Sequence, residues 1–151
     1  MKRSAGVLIY RRFPLGLEVL LVRPGGPFWR NKDRGAWQIP KGEYREGEEP
    51  TACALREVEE ELGIVLTAPL QPLGEIRQAG GKHVTAYAAE QDLDADAIAS
   101  NTFELEWPPK SGRKQSFPEV ESARWLTIDQ ARPAILPSQE PLLDRLLALL
   151  G

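Results

Sequence analysis

Sulfur and imidazole are scarce in this chain of 151 residues, which has one cysteine, one histidine and one methionine. The lone Cys53 excludes an intramolecular disulfide, and its expected role is a small semi-buried thiol. The lone His83, with no cysteine cluster beside it, leaves no zinc ligand set. It reads as a polar residue near a strand start rather than as a general base. Long apolar runs are missing as well. Gly6–Tyr10 is too short for a signal peptide or a membrane span, so no membrane partner is expected and the cytoplasm is the default compartment. No repeat, linker or second compositional regime interrupts the chain, and a single domain over 1–151 is expected, long enough for a real core. There is no basic excess: 19 Lys and Arg stand against 22 Asp and Glu, a net charge of -3. That balance offers no footprint for nucleic acid.

What is present is a concentrated acidic segment. Gly42–Ile64 reads GEYREGEEPTACALREVEEELGI. Gly47 and the pair Glu49-Pro50 mark a loop entering a helix, because proline is tolerated at the first helical position. Gly63 reads as a left-handed C-terminal cap. Steps of about 100° per residue over Pro50–Leu62 put Glu57, Glu60 and Glu61 on one face, in two adjacent turns. Ala54, Leu55, Val58 and Leu62 fall on another arc expected to pack on the core, and Glu59 is expected to face solvent. A solvated acidic face is the ordinary explanation for such a run. Here it carries a cost, because like charges at i,i+3 and i,i+4 destabilise a helix. Within the segment only Arg56, i,i+4 to Glu60, offers obvious local relief. Clustered hard carboxylate oxygens suit magnesium, or manganese as a substitute.

The spacing is Gly42, five residues, Glu48, seven residues, Arg56-Glu57, Val58, one residue, Glu60-Glu61, one residue, Gly63-Ile64. Every fixed position of the Nudix box is filled, and the chain resembles the Nudix hydrolases. The resemblance implies an α+β fold, the Nudix α/β/α sandwich, with a mixed β-sheet between helices and the box as loop–helix–loop. It implies hydrolysis of a nucleoside diphosphate linked to another moiety, by attack of water on phosphorus. Glu57, Glu60 and Glu61, with the backbone carbonyl of Gly42, would hold one to three divalent cations that shield phosphate charge and lower the pKa of the attacking water. One glutamate of that group, or Glu119, would be the base. Members of the family commonly supply a further glutamate from outside the box. Glu119, before Trp125, is the first choice for it, with Glu121 second. Arg56 and Glu48 would support the site by orienting carboxylates.

The rest of the chain supplies a frame and candidate substrate contacts. Ser4–Arg11 and Leu17–Val22 are β-rich and apolar at both parities, as in strands covered on both faces, with a turn at Phe13-Pro14-Leu15-Gly16. In Phe28–Gly35, Trp29 stands beside Arg30, Lys32 and Arg34, in a loop that could approach a nucleotide or polyphosphate. Leu70–Gln78 and Lys82–Glu90 read as a hairpin turning at Gly80-Gly81. Asp92, Asp94 and Asp96 imitate the start of a calcium loop, but Ala97 and Phe103 occupy positions that need glycine and glutamate. They are expected instead in a polar link to a short helix near Asp96–Ser100. Phe103, Leu105 and Trp107 alternate as in an extended segment, which Pro108-Pro109 breaks. Lys110, Arg113 and Lys114 then form an expected basic loop over an anionic substrate, with Trp107 or Phe117 stacking on a base. A last strand lies within Glu119–Leu126, followed by a helix from Thr127 broken at Pro133 and a leucine-rich helix over Pro141–Leu150. Arg23, Lys41, Lys82 and the basic loop residues Arg30, Arg34 and Arg113 are the expected phosphate contacts.

The expected partner is a small anionic phosphoanhydride. Pro40-Lys41-Gly42 looks like the dinucleoside polyphosphate and diphosphoinositol branches of the family, whereas many MutT-like members carry Pro-Gly-Gly. The tyrosine that dinucleoside polyphosphate hydrolases often place beyond the box is missing, as is the proline common in ADP-ribose hydrolases. Dinucleoside polyphosphates rank first and nucleoside triphosphates second. Two rivals remain: a catalytically silent nucleotide-binding sensor, and an RNA 5′-end pyrophosphohydrolase favoured only by the Lys110–Lys114 segment.

Overall fold

A computed structural model describes residues 2–13, 16–78 and 80–151. Eight strands and three α-helices occur among them: β1 (Arg3–Phe13), β2 (Gly16–Pro24), β3 (Lys41–Glu43), α1 (Pro50–Leu62), β4 (Gln71–Gln78), β5 (Lys82–Glu90), β6 (Thr102–Glu106), β7 (Lys114–Pro118), β8 (Val120–Thr127), α2 (Ile128–Ala134) and α3 (Pro141–Leu150). The main sheet runs β4-β5-β1-β2-β8, with β3 added on β1. Only β1 and β5 are parallel, from Arg3↔His83 to Tyr10↔Glu90. The sheet is therefore mixed, as expected.

The double parity of β1 and β2 is explained by two cores. Ala5, Val7, Ile9, Leu20 and Val22 face Cys53, Ala54, Val58 and Leu62 of α1. Leu8, Tyr10, Val19 and Leu21 point the other way, among Trp37, Ile39, Ala131, Ile135 and the α3 leucines 142, 143 and 146. Burying such a side chain contributes about 1.5–3 kcal/mol, which is what clamps a helix on each face of the sheet. No helix among the described residues is long and apolar enough to cross a membrane.

The split of β1 between two neighbours shapes the cleft. Its second half pairs with β2, from Ile9↔Leu20 onward, while Ser4, Ala5 and Gly6 pair with β3. The short strand β3 is brought beside the start of β1, and with it Lys41 and Gly42. Buried Gln139 anchors the approach to β3, accepting from the Ile39 amide at 2.9 Å and donating to Gln78 at 3.3 Å.

Helix α1 has the expected bounds, and Gly63 takes φ 71° as its left-handed cap. The carbonyls of its last turn find partners outside the helix: Ala99 N donates to Leu62 O and Asn101 N to Glu60 O, both at 2.9 Å. That use of the backbone explains why the helix expected near Asp96–Ser100 is only a 3-10 turn over Ala95–Ala97.

Other expectations need correction. Leu55 is 37% exposed, because the buried arc of α1 is turned toward Cys53 and Glu57, the flank that meets Gly42 of β3. Cys53 is fully buried rather than semi-buried. The basic loop is a hairpin: β6 and β7 pair from Thr102↔Pro118 to Glu106↔Lys114, so Lys114 and Phe117 are strand residues. Of the turn expected at Phe13–Gly16, Pro14 and Leu15 lie outside the described residues.

Candidate active site

Arg56 is the structural hub of the box. Its Nε donates to Glu48 Oε2 at 2.7 Å and Nη2 to Glu48 Oε1 at 2.8 Å, a two-point fork. Nη1 donates to Glu57 at 2.7 Å and to Glu60 at 2.8 Å, while Nη2 also reaches the Glu43 carbonyl at 2.9 Å. Glu48 in turn accepts from the Arg45 amide at 2.9 Å. The Arg56 guanidinium, aided by that amide, holds the Glu48 carboxyl down to about 2. Arg56 itself is driven further toward its charged form, first by Glu48. One side chain thus ties loop, β3 and helix together.

A cavity of about 500 Å³ opens beside this hub, lined by Glu57 and Glu61 of α1, Lys41 and Gly42 of β3, Glu119, Arg45, and the rings of Trp29 and Phe103. A smaller recess of about 190 Å³ continues from it between Lys41, Glu61 and Glu119 toward Val22 and Ile39. Four carboxylates from two distant parts of the chain line this space, of which Glu43 pairs with Lys2 at 3.7 Å while Glu57, Glu61 and Glu119 crowd its inner side. Burial pushes the Glu57 carboxyl up, against the pull of Arg56. Burial pushes Glu61 well up, and the Glu57 charge adds to it while Lys41 opposes. Glu119 is raised by burial and by the charge of Glu60. Burial also lowers the Lys41 ammonium, with Glu61 acting to restore it. The site concentrates negative charge that its own lysine does not balance.

The arrangement fits a hard divalent cation. Glu57, Glu61 and Glu119 offer carboxylate oxygens suited to magnesium or manganese, and a bound cation would offset the burial, and the lesser like-charge repulsion, that raise all three. Gly42 is part of the fit, because a Cβ there would overlap the Glu57 carboxylate. Among the described residues, no three acidic, histidine or cysteine side chains already converge as a closed ligand cage. Glu60 is held apart from the cavity lining, its two oxygens taken by Arg56 at 2.8 Å and Arg45 at 3.0 Å. Glu59 is exposed, as expected from its place on the helix.

The remaining candidates divide. Trp29 lines the cavity, with the Lys32 ammonium 5.6 Å from its ring centroid. Lys82 acts electrostatically on Lys41 but does not line the cavity. Arg30 and Arg113 are exposed and do not line it either. Arg34 opens onto a different cleft. Arg23 belongs to the opposite face of β2, where it stacks on Trp37 at 5.8 Å and reaches Glu121 at 3.6 Å. Its alternation with Val22 and Pro24, which do line the recess, dictates this. Glu121 is thereby occupied, which leaves Glu119 facing the site. His83 pairs with Glu75 at 3.1 Å, away from the cavity. Cys53 is pushed up to about 11 by burial, so it stays a thiol.

Sequence reading passed over Phe103 and Arg45. The signal for Phe103 was its alternation with Leu105, and for Arg45 its place inside the acidic loop. The hairpin reaches the Trp29 loop through Phe28 and Trp107, whose rings meet edge-on at 5.6 Å and 76°. Phe103 packs on Phe117 at 6.0 Å. The two segments that looked most irregular in the sequence therefore join over one rim of the cavity.

The NUDIX domain family model matches residues 1–146. The chain belongs to the Nudix family. Nudix hydrolase 25 of Arabidopsis thaliana is 52% identical over 31 residues, which are 20% of this chain and 18% of that protein. The similarity to that relative thus spans less than a fifth of its length. Among solved structures, a C. elegans Ap4A hydrolase in a binary complex superposes with a TM-score of 0.68, 23% identity and 97% coverage of both chains. The NUDIX domain of Shewanella oneidensis NrtR, complexed with ADP ribose, gives 0.70 at 18% identity, over 99% of this chain and 88% of that one. These likenesses bear out the Nudix fold, an α+β sandwich.

Proposed function

We propose that this Nudix protein is a divalent-metal-dependent pyrophosphohydrolase, cleaving a phosphoanhydride bond of a nucleoside diphosphate linked to another group. The observation that carries this reading is the joint lining of one cavity by Glu57, Glu61 and Glu119 together with Lys41, Arg45 and two aromatic rings. Glu57, Glu61 and Glu119, with the Gly42 carbonyl, would hold the metal, and Glu60 would join them on release from its arginines. Magnesium or manganese bound there supplies charge shielding of the phosphates and a more acidic water. The protein's part is to bind and orient. Lys41 and Arg45 take phosphate oxygens, Glu48 and Arg56 fix the box loop, and Trp29 and Phe103 give flat apolar faces for a base. One glutamate of the Glu57, Glu60 and Glu61 group, or Glu119, would accept the proton of the attacking water.

Among substrates, a dinucleoside polyphosphate ranks first and a nucleoside triphosphate second. The Pro40-Lys41-Gly42 approach and the aromatic pair support the first, since a long anionic chain ending in a base needs both a cationic track and a stacking wall. A panel of dinucleoside polyphosphates, nucleoside triphosphates and diphosphoinositols, incubated with magnesium and read by mass, tests the assignment. A mononucleotide released fastest from a dinucleoside polyphosphate supports it. Tight nucleotide binding with no product from any member would identify a sensor instead.

A further inference from the structure

A second cleft, of about 470 Å³, lies on the α2 side of the sheet and shares no lining residue with the cavity at α1. Its lining combines the apolar Leu126, Pro133 and Ala134, of which Leu126 is buried, with the exposed Arg34, Arg124 and Gln130. Among the described residues neither of these guanidinium groups pairs with a carboxylate. The acid in the lining, Asp33, accepts from the Trp37 indole, whose Nε1 donates to its Oδ1 at 2.8 Å.

Trp37 organises this region. The Arg124 guanidinium lies 4.9 Å from its ring centroid and that of Arg23 5.8 Å away, so one indole carries two cations. Arg23 has only Glu121 at 3.6 Å, and its buried Nε has no hydrogen-bond partner. The local excess is positive in a chain of net charge -3. The walls are also fixed in advance. Gly35 N donates to Pro133 O at 3.1 Å, Trp37 N to Ala134 O at 3.0 Å and Leu136 N to Trp37 O at 2.8 Å. Gln130 spends its Oε1 on the Thr127 amide at 3.0 Å, which leaves its Nε2 donors for the cleft.

We infer that this cleft is a second ligand site, for a phosphate monoester with an apolar or planar body. Forked donors with no carboxylate partner match phosphate oxygens, Arg124 being held in place by the Trp37 ring, and the apolar Leu126, Pro133 and Ala134 take the organic part. The volume falls within the usual range for small-ligand sites. This assignment does not depend on the reaction proposed for α1.

Calorimetry with adenosine monophosphate in the presence of EDTA tests it, since the α1 cavity is then without divalent metal. The expected result is saturable binding by the wild type, weakened at least about tenfold in an Arg34→Gln/Arg124→Gln double variant. Inorganic phosphate should bind more weakly and compete, and adenosine alone should not compete at equal concentration. Unchanged affinity in the folded double variant, or no binding by the wild type, overturns the inference. Should the double variant fail to fold, backbone amide shifts of the wild type decide. Shifts at Arg34, Gln130 and Ala134 uphold the site, and shifts confined to Gly42, Glu57 and Glu61 overturn it.

Discussion

Replacing Gly42 by alanine adds one methyl group where β3 meets α1, and the added Cβ would overlap the Glu57 carboxylate. Gly42 does not have a positive φ, so backbone strain plays no part in the outcome. Two relaxations are open. Glu57 can be expelled, losing its 2.7 Å bond from Arg56, or β3 can move and lose its register with Ala5. Overpacking costs about 1–3 kcal/mol, and a lost hydrogen bond to a charged group about 1.5–3 kcal/mol. Rehydration of Glu57 returns part of this, because burial already opposes its charge. A net loss of about 2–4 kcal/mol follows, or roughly 5–15 °C in melting temperature for a chain of this size. The assay is thermal unfolding of four proteins: wild type, Gly42→Ala, Glu57→Ala and the double variant. In the Glu57→Ala background the added methyl meets no carboxylate, so Gly42→Ala should become nearly neutral for stability, a coupling of about 2 kcal/mol or more. Turnover should stay low in both backgrounds. Additive melting shifts, or a Gly42→Ala protein with wild-type stability and turnover, would refute the steric account of Gly42.

Further outcomes follow from the same geometry. Arg56→Lys keeps a charge but loses the fork to Glu48, so stability and turnover should both fall, turnover by about tenfold or more; equal kinetics in the two proteins would contradict the hub. In metal-free protein, the raised Glu57, Glu61 and Glu119 favour protonation in the folded state, so their contribution to stability declines as pH rises from the ordinary carboxylate range through their folded values. Glu48 acts oppositely, its contribution being present above the ordinary range and lost as pH falls toward about 2. Melting curves in EDTA should therefore show greatest stability in mild acid, and magnesium should raise the melting temperature most at neutral pH. Cys53 should resist thiol reagents at pH 8 until the protein unfolds, because it is buried and its thiol is held up to about 11; rapid labelling of the folded protein would contradict this.

The frame was legible where periodicity and punctuation agree. Pro50 and Gly63 bracket α1, and the double parity of β1 and β2 foretold a sheet covered on both faces. What the sequence hid was set by partners far along the chain. Strand β3 exists because Ser4, Ala5 and Gly6 offer it an edge, and nothing local in Lys41–Glu43 announces that. The β6–β7 hairpin was obscured by Pro108-Pro109, which sit at its tip rather than ending its structure. At the site, helical spacing grouped Glu57, Glu60 and Glu61, but it could not say that Glu60 is held by two arginines. Charge and loop position made Arg23 and Arg34 look like phosphate contacts. Strand alternation and the path of the loop past Trp37 turned both away from α1.

The most direct test of the account is the magnesium dependence of initial rate for wild type, Glu59→Gln and Glu61→Gln, on whichever phosphoanhydride the panel selects. The prediction is that the wild type and Glu59→Gln give the same saturating curve, no turnover without metal, and a rate for Glu61→Gln lower by at least about a hundredfold with its melting temperature retained. Equal rates in all three proteins, or full activity in EDTA, would contradict the assignment of Glu61 and its cavity to metal-dependent hydrolysis.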